Sequence, residues 1–294
     1  MELEGLKDNT LQGLWQWFTE YVSKESNPQE ARAMGRLVFE EVFGITPARF
    51  ALERDMRMSE SQIVELWRVI RKLKNQVPLQ YILGKAWFRE LVLKVDYGVL
   101  IPRGETEELV QWVLDDCSLL PQSQPLQIWD VGTGSGCIAL SIAYEKTNAR
   151  VWASDCSEAA LSIAMDNAAT LGLSVNFFLH DLLNDPLSAQ KFHCIVSNPP
   201  YVRHQEKPLM QKNVLDHEPH SALFVPDQDP LVFYRALAQA ALQLLHPGGA
   251  LYVEINEALG EPTRKLFEQT GLVETELRQD IHGKDRFVKG VIPQ

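Results

Sequence analysis

Apolar residues at Leu11, Leu14, Phe18 and Tyr21/Val22 recur every three to four positions, the period of an amphipathic helix. A second helix is announced by Asn27-Pro28, a capping residue followed by a proline at the first helical position, leading into "QEARAMGRLVFEEVFG". Ser59 and Gln62 form a capping-box pattern ahead of Ile63, Leu66, Ile70 and Leu73. Residues 1–76 are therefore expected to form a small helical domain. From Val77 the pattern changes: a short helical piece ends at Gly84, and apolar and β-branched residues suited to a hairpin come next. Residues 77–104 read as an interdomain hairpin and linker, too apolar for a flexible tether. A further helix is expected from Glu105 or Thr106 through Leu109, Val110, Val113 and Leu114.

From Leu126 onward, strand-like and helix-like segments alternate: "LQIWDV", "GCIALSIAYE", "RVWASD", "SEAALSIAMDNAATLG", "SVNFFLHD" and "FHCIVSNPP". A helix around Leu231–Leu245, a strand "ALYVEIN", a helix near Glu261–Gln269 and two strands joined by "DIHGKD" complete the chain. Such alternation predicts an α/β domain over residues 105–294, a mostly parallel sheet covered by helices on both faces, with an antiparallel hairpin at one edge.

Two stretches carry candidate chemistry. "DVGTGSG", Asp130 to Gly136, comes after the first strand of this domain and opens a helix, the place where a βα turn hosts a nucleotide-containing cofactor. Its glycines permit positive φ and close ligand approach. Cys137 stands where the dinucleotide fingerprint has its third glycine, and no Gly-Lys-Ser/Thr is present to make a phosphate loop. Asp155 ends the next strand, where a carboxylate either accepts two ribose hydroxyls or caps the following helix. Asp181, after the third strand, is placed to read an adenine amino group or is an ordinary loop carboxylate. In "SNPPYV", Pro199 and Pro200 end a strand and stiffen the backbone beyond it, making either a plain turn or a rigid platform for Asn198 and Tyr201.

Composition narrows the class. The chain has 294 residues, 45% hydrophobic and 23% charged, enough for about two domains. It contains no apolar run long enough to span a membrane. The acidic start "MELEGLKDNT" lacks an apolar signal core, so a cytoplasmic location is expected. Cys117, Cys137, Cys156 and Cys194 lack disulfide or metal spacing and read as buried free thiols; the seven histidines show no ligand grouping, so no metal is assigned. A net charge of −11 argues against stable nucleic-acid binding and for a protein or small-molecule substrate. The basic run "RVIRKLK", Arg68–Lys74, reads as a solvated helix face.

Asp-x-Gly-x-Gly-x-Gly, an acidic end to the second strand and Asn-Pro-Pro-Tyr after the fourth together resemble the class I S-adenosylmethionine-dependent methyltransferases of Rossmann-like fold that modify planar amines and amides. "PLQYILG", "GVLIPRGETEELV", "DVGTGSGCIALSIA", "FHCIVSNPPYV", "EPHSALF" and "LHPGGALYVEI", in this order, are similar to the release-factor glutamine methyltransferases (the PrmC/HemK family) over residues 75–294. The helical N-terminus fits that family's recognition domain.

The resemblance implies S-adenosyl-L-methionine as cofactor, S-adenosyl-L-homocysteine as product, and a class-1 peptide-chain release factor as partner. It implies cofactor contacts at Asp130, Gly132, Thr133, Gly134, Gly136, Asp155, Asp181, Leu182 and Asn198. Catalysis would fall to Asn198, Pro199, Pro200 and Tyr201, with Asn198 and the Pro199 carbonyl accepting the substrate's NH2 protons and Tyr201 covering its flat face. It further implies substrate contacts at Phe88, Arg103, Glu105 and Thr106, and a loop at Glu218-Pro219 closing over the site. Arg103 pairing with Glu105 or Glu107 and a plain surface turn at Glu218 are the structural alternatives. Gly104, where the family commonly has proline, and Leu259, where it has glutamine, depart from the pattern. The competing activity is adenine-N6 methylation of DNA or RNA, and a catalytically dead cofactor-binding scaffold is the non-enzymatic alternative.

Overall fold

The computed structural model describes residues 6, 8–24, 27–120 and 124–294. Residues 1–5 and 7, on which the expectation about an export signal partly rests, lie outside the described residues. Five helices lead: α1 (Leu11–Val22), α2 (Pro28–Phe43), α3 (Pro47–Leu52), α4 (Glu60–Lys74) and α5 (Leu79–Leu83). The hairpin β1 (Lys85–Phe88) and β2 (Leu91–Lys94) precedes α6 (Gly104–Leu119). Then come β3 (Leu126–Val131), α7 (Cys137–Glu145), β4 (Ala149–Asp155), α8 (Glu158–Leu171), β5 (Asn176–Leu179) and β6 (Phe192–Ser197). Short pieces are next: β7 (Val202–Arg203), α9 (Lys212–His217), α10 (His220–Leu223) and β8 (Phe224–Val225). The chain closes with α11 (Val232–Leu244), β9 (Leu245–Glu254), α12 (Gly260–Thr270), β10 (Val273–Gln279) and β11 (Asp285–Val291).

The chain divides into two compact units. One comprises residues 1–84 together with Lys212–His217, the other residues 85–211 and 218–294. The boundary thus differs from the expected one: α5 goes with the helices, the β1–β2 hairpin goes with the sheet, and α9 returns to the helical unit. The physical reason lies in the side chains. Leu79 on α5 packs in the helical core, whereas Phe88, Leu91 and Leu93 are buried with residues of α6 and α7.

In the helical unit, Thr10, Asn27 and Ser59 each accept backbone N–H bonds at a helix start, and the Ser59–Gln62 capping box is complete. Thr46 does the same for α3, a helix the periodicity did not reveal although Thr46-Pro47 repeats the Asn27-Pro28 signal. Leu11, Leu14, Phe18, Val38, Phe39, Leu66 and Ile70 form the core. Arg68, Arg71, Lys72 and Lys74 remain at least partly exposed, as a solvated face requires.

The main sheet of the second unit has seven strands in the order β10-β11-β9-β6-β3-β4-β5, parallel from β9 through β5, with the β10–β11 hairpin antiparallel at the edge. Alternate side chains leave opposite faces of each strand. Ile128, Val196 and Tyr252 therefore enter one core with α6 and α7, while Trp129, Ile195 and Val253 enter the other with α11. The chain steps from β3 outward to β4 and β5, then crosses back to β6. This reversal opens a crevice at the carboxyl ends of β3 and β6, the usual binding place in such sheets.

Candidate active site

A cleft occupies that crevice, enclosing about 1090 Å³ when the space open at its mouth is counted. Its floor is the glycine turn. Gly132, Gly134 and Gly136 have φ of 75°, 55° and 85°, a conformation that costs an L side chain about 1–2 kcal/mol. Beside Gly132 and Gly134 a Cβ would meet nothing within 4 Å, so backbone lies open to a ligand; at Gly136 it would meet Leu140 Cδ1 at 2.9 Å. The turn is fixed from several sides. The Gly132 and Thr133 N–H groups donate to the Ser154 carbonyl, both at 2.9 Å. Ser197 Oγ donates to the Val131 carbonyl at 2.7 Å, joining the ends of β6 and β3.

Asp130 lies beneath the turn, fully buried, and does not line the cleft. Its Oδ2 accepts from Thr133 Oγ1 at 2.6 Å and from the Ala139 N–H at 3.2 Å, while Oδ1 has no partner. Burial pushes its pKa up to about 7 against the pull of those two donors. Its position is that of a brace for the turn. Gly136 likewise does not line the cleft and stands at the N-cap position just before α7.

Asp155 lines the cleft at the end of β4. Its carboxylate accepts the N–H of Gly134 at 2.9 Å and of Ser157 at 2.9 Å, while Ser157 itself caps α8. The carboxylate thus braces the glycine turn and does not itself cap α8, and it still lines the cleft. Burial raises its pKa. Asp181 and Leu182 also line the cleft; Asp181 is held by the Leu183 N–H and Asn184 Nδ2, and the Asn184 bond leads in lowering its pKa.

Asn198, Pro199 and Pro200 line the opposite wall, directly after β6. Asn198 Nδ2 donates to Thr106 Oγ1 at 3.1 Å, and that hydroxyl donates to Glu254 Oε2 at 2.7 Å. Glu254 Oε1 accepts from Tyr201 OH at 2.9 Å. Glu254 ends β9 and is buried, and desolvation leads in raising its pKa. Tyr201 is therefore turned away from the cleft: it does not line it, and burial beside Glu254 pushes its phenol well above the ordinary value. The expected cover over a substrate amide is not what its ring supplies in this conformation.

Other expected residues are placed differently too. Phe88 is in the core with Leu91 and Leu93 and does not reach the cleft, because the burial pattern of β1 turns Ala86 and Phe88 inward. Glu105 lies outside the cleft lining; Arg103 and Thr106 line it. Arg103 pairs with neither Glu105 nor Glu107. Its guanidinium donates to Glu218 Oε1 at 2.6 Å, and Glu218 Oε2 accepts the Ile101 N–H at 3.3 Å. Glu218 is thus a buried tie between two segments rather than a surface turn, and Pro219, Ser221 and Ala222 beyond it form part of the wall. Cys156 is exposed, contrary to the expectation of buried thiols, whereas Cys117 and Cys194 are buried.

Sequence reading missed Glu254 and Asn167. Asn167, buried on α8, donates to the carbonyls of Lys94 and Ser135 and accepts the Lys94 N–H, tying the hairpin to the glycine turn. A buried amide in an otherwise apolar helical pattern was the available signal. No group of three or more potential metal ligands occurs among the described residues. No helix among them is long and apolar enough to cross a membrane.

The cleft's features fit a nucleoside joined to an amino acid: open glycine backbone, a carboxylate at the end of β4, the unpartnered buried His180 Nε2 and apolar Leu182 and Ile138. Comparison with known proteins agrees in kind. The family described as "Methyltransferase small domain" matches residues 117–220, and "PrmC N-terminal domain" matches residues 14–84. The "Release factor glutamine methyltransferase" of Flavobacterium psychrophilum is 39% identical over 92% of this chain and 95% of its own length. The protein of the same description from Bacteroides thetaiotaomicron is 40% identical over 89% and 92%. Among solved structures, the Thermus thermophilus 16S rRNA N2 G1207 methyltransferase, described in complex with AdoMet and guanosine, superposes with a TM-score of 0.50. It is 16% identical, over 71% of this chain and 49% of that one, a likeness of fold. With relatives this similar over nearly their whole length, the chain belongs to the release factor glutamine methyltransferase family.

Proposed function

We propose that this protein methylates the side-chain amide nitrogen (N5) of the glutamine in the Gly-Gly-Gln motif of class-1 peptide-chain release factors, using S-adenosyl-L-methionine and leaving S-adenosyl-L-homocysteine. The observation that carries the reading is Asn198 on the cleft wall opposite Asp155, with its amide nitrogen engaged by Thr106. Its oxygen is thereby left for a ligand. Family membership supplies the substrate class, and the net charge of −11 favours a protein acceptor over a nucleic acid.

S-adenosylmethionine, when bound, supplies a methyl group on positively charged sulfur, an electrophile with a neutral leaving group. Gly132 and Gly134 would take its amino-acid part against open backbone, and Asp155 its ribose hydroxyls. The rest is positioning. An amide nitrogen is a poor nucleophile because its lone pair is delocalised into the carbonyl. Asn198 Oδ1 and the Pro199 carbonyl would each accept one N–H of the acceptor, turning the lone pair into the cleft and favouring positive charge as it develops on nitrogen. Pro199 and Pro200 carry no N–H to compete for those acceptors. The proton shed by an alkylated amide nitrogen is acidic enough for water to take, so the site needs no strong base.

The test is transfer of labelled methyl to purified release factors, to a short peptide containing the Gly-Gly-Gln loop, and to DNA and RNA. The whole factor is expected to be modified at the loop glutamine, with the peptide a poor acceptor because it lacks remote contacts that offset its ordering entropy. Adenine methylation of DNA or RNA with no labelled glutamine would replace this function by the nucleic-acid reading.

A further inference from the structure

We propose that Glu254 is a positioning residue that fixes which end of the Asn198 amide faces the substrate, acting through the Thr106 hydroxyl. The proposal rests on the function proposed above, in which Asn198 must present oxygen. An asparagine side chain is nearly symmetric in shape, so packing alone does not choose between its oxygen and its NH2. Reversed, it would present two donors to a substrate nitrogen that is itself a donor.

The choice is made by counting protons. Both Glu254 oxygens receive hydroxyl donors, Thr106 at Oε2 and Tyr201 at Oε1, the pattern of an ionised carboxylate, which only accepts. Thr106 has one hydroxyl proton and gives it to Glu254 across 2.7 Å. What remains on Thr106 Oγ1 is lone pairs. The neighbour at 3.1 Å must then be a donor, which can only be Asn198 Nδ2. Oδ1 is left free of that chain, on a residue that lines the cleft. The assignment follows from the chemistry of the chain of groups with Glu254 ionised; a protonated Glu254 donating to Thr106 would reverse it.

The surroundings of that carboxylate pull both ways. Desolvation raises the Glu254 pKa most, and Glu105 adds to the rise, while the Thr106 and Tyr201 hydroxyls and nearby Arg286 oppose it. Arg286 is itself anchored by Asp280, its Nε donating to Oδ2 at 3.0 Å. The burial that makes a charge costly here also excludes water that would compete for the Thr106 hydroxyl. An amide in place of Glu254 would break the count. Its NH2 can donate to Thr106, freeing the threonine proton to seek Asn198 Oδ1 and stabilising the reversed amide.

The experiment uses the full chain and four variants: Glu254→Gln, Thr106→Val, Thr106→Ser and the Glu254→Gln/Thr106→Val double. Turnover on release factor is expected to fall about 10- to 100-fold in Glu254→Gln and Thr106→Val, with cofactor affinity within about twofold. Thr106→Ser, which keeps the hydroxyl, is expected to restore most of what Thr106→Val loses. The double variant should be no slower than the worse single, because both cut one chain of bonds. An activity-independent reading is hydrogen exchange at the Asn198 side-chain NH2 by NMR, slow in the native protein and Thr106→Ser, fast in the other variants. Losses that multiply in the double variant, or equal exchange in all proteins, would overturn the proposal. Native protein that shows protected Asn198 protons yet labels no release factor would sink the proposed substrate and leave the positioning role standing.

Discussion

Replacing Asp130 with asparagine should flatten the dependence of stability on pH. Asp130 is fully buried with an unpartnered Oδ1, and its pKa rises from 3.8 to about 7. In the unfolded chain the same carboxyl titrates near about 3.9. Between these values the folded protein holds a proton that the unfolded chain has lost, so stability declines as pH rises through the window and levels off above the folded pKa. At about 1.4 kcal/mol per pH unit the full loss is roughly 4 kcal/mol, of which about 2–3 kcal/mol falls between pH 5 and pH 8. Asparagine carries no proton to lose. Its oxygen can keep the bonds from Thr133 and Ala139, while its NH2 occupies the position of Oδ1, as the acid's hydroxyl does below the window. Glu254, also raised by burial, contributes equally in both proteins and cancels in the difference, whereas Asp155, whose charge adds to the rise at Asp130, cancels only in part. Urea titrations of both proteins across this range should show the variant gaining on the native chain by that amount. Parallel curves would mean that the Asp130 carboxyl is already ionised at pH 5, and the account of its burial would be wrong.

Asn198→Ala should lower turnover by about 10²- to 10³-fold with cofactor affinity nearly intact, the scale for one lost oriented group; lost affinity with full turnover at saturating cofactor would remove the assigned role. Asp155→Ala should weaken cofactor binding by roughly 1.5–3 kcal/mol by calorimetry, and unchanged affinity in a folded variant would take the carboxylate out of the site. Gly104→Pro should stabilise the protein by about 0.4–1 kcal/mol in thermal denaturation. Gly104 is the first residue of α6, a Cβ there meets nothing within 4 Å, and Arg103 at φ −106°, ψ 150° already has the backbone a following proline demands. A loss of stability would show that its N–H is needed.

How much of the molecule was legible in its sequence depends on the range of the forces involved. Caps, glycine turns and strand alternation are written within a few neighbouring residues, so α1, α2, α4, the glycine turn and the seven-stranded sheet were legible. Asp155 and Asn198 were legible for the same reason, since each sits at the end of a strand. Side-chain direction across long separations was not. Arg103 finds Glu218, and Thr106 finds Glu254, only after the sheet has brought distant segments together, and nothing local distinguishes Glu105 from Glu218 as a partner. Tyr201 illustrates the limit: its place after Pro200 could be read locally, and its ring is claimed by a carboxylate contributed from β9.

The return of Lys212–His217 to the helical unit sets an order on biosynthesis. His217 Nε2 lies 2.9 Å from the Asn75 carbonyl, a contact that awaits a segment emerging after β1 through β7 have been made. The first unit to leave the ribosome is consequently not the first to be finished. Its α1–α5 core can assemble early from local contacts, while the last piece requires closure of a very long loop, slow on entropic grounds. A cut after Gly84 would leave α9 behind on the other fragment while keeping the whole buried helical core, to which α9 adds no buried residue. Exchange of the complete unit between relatives, α9 included, would cross the chain at three places.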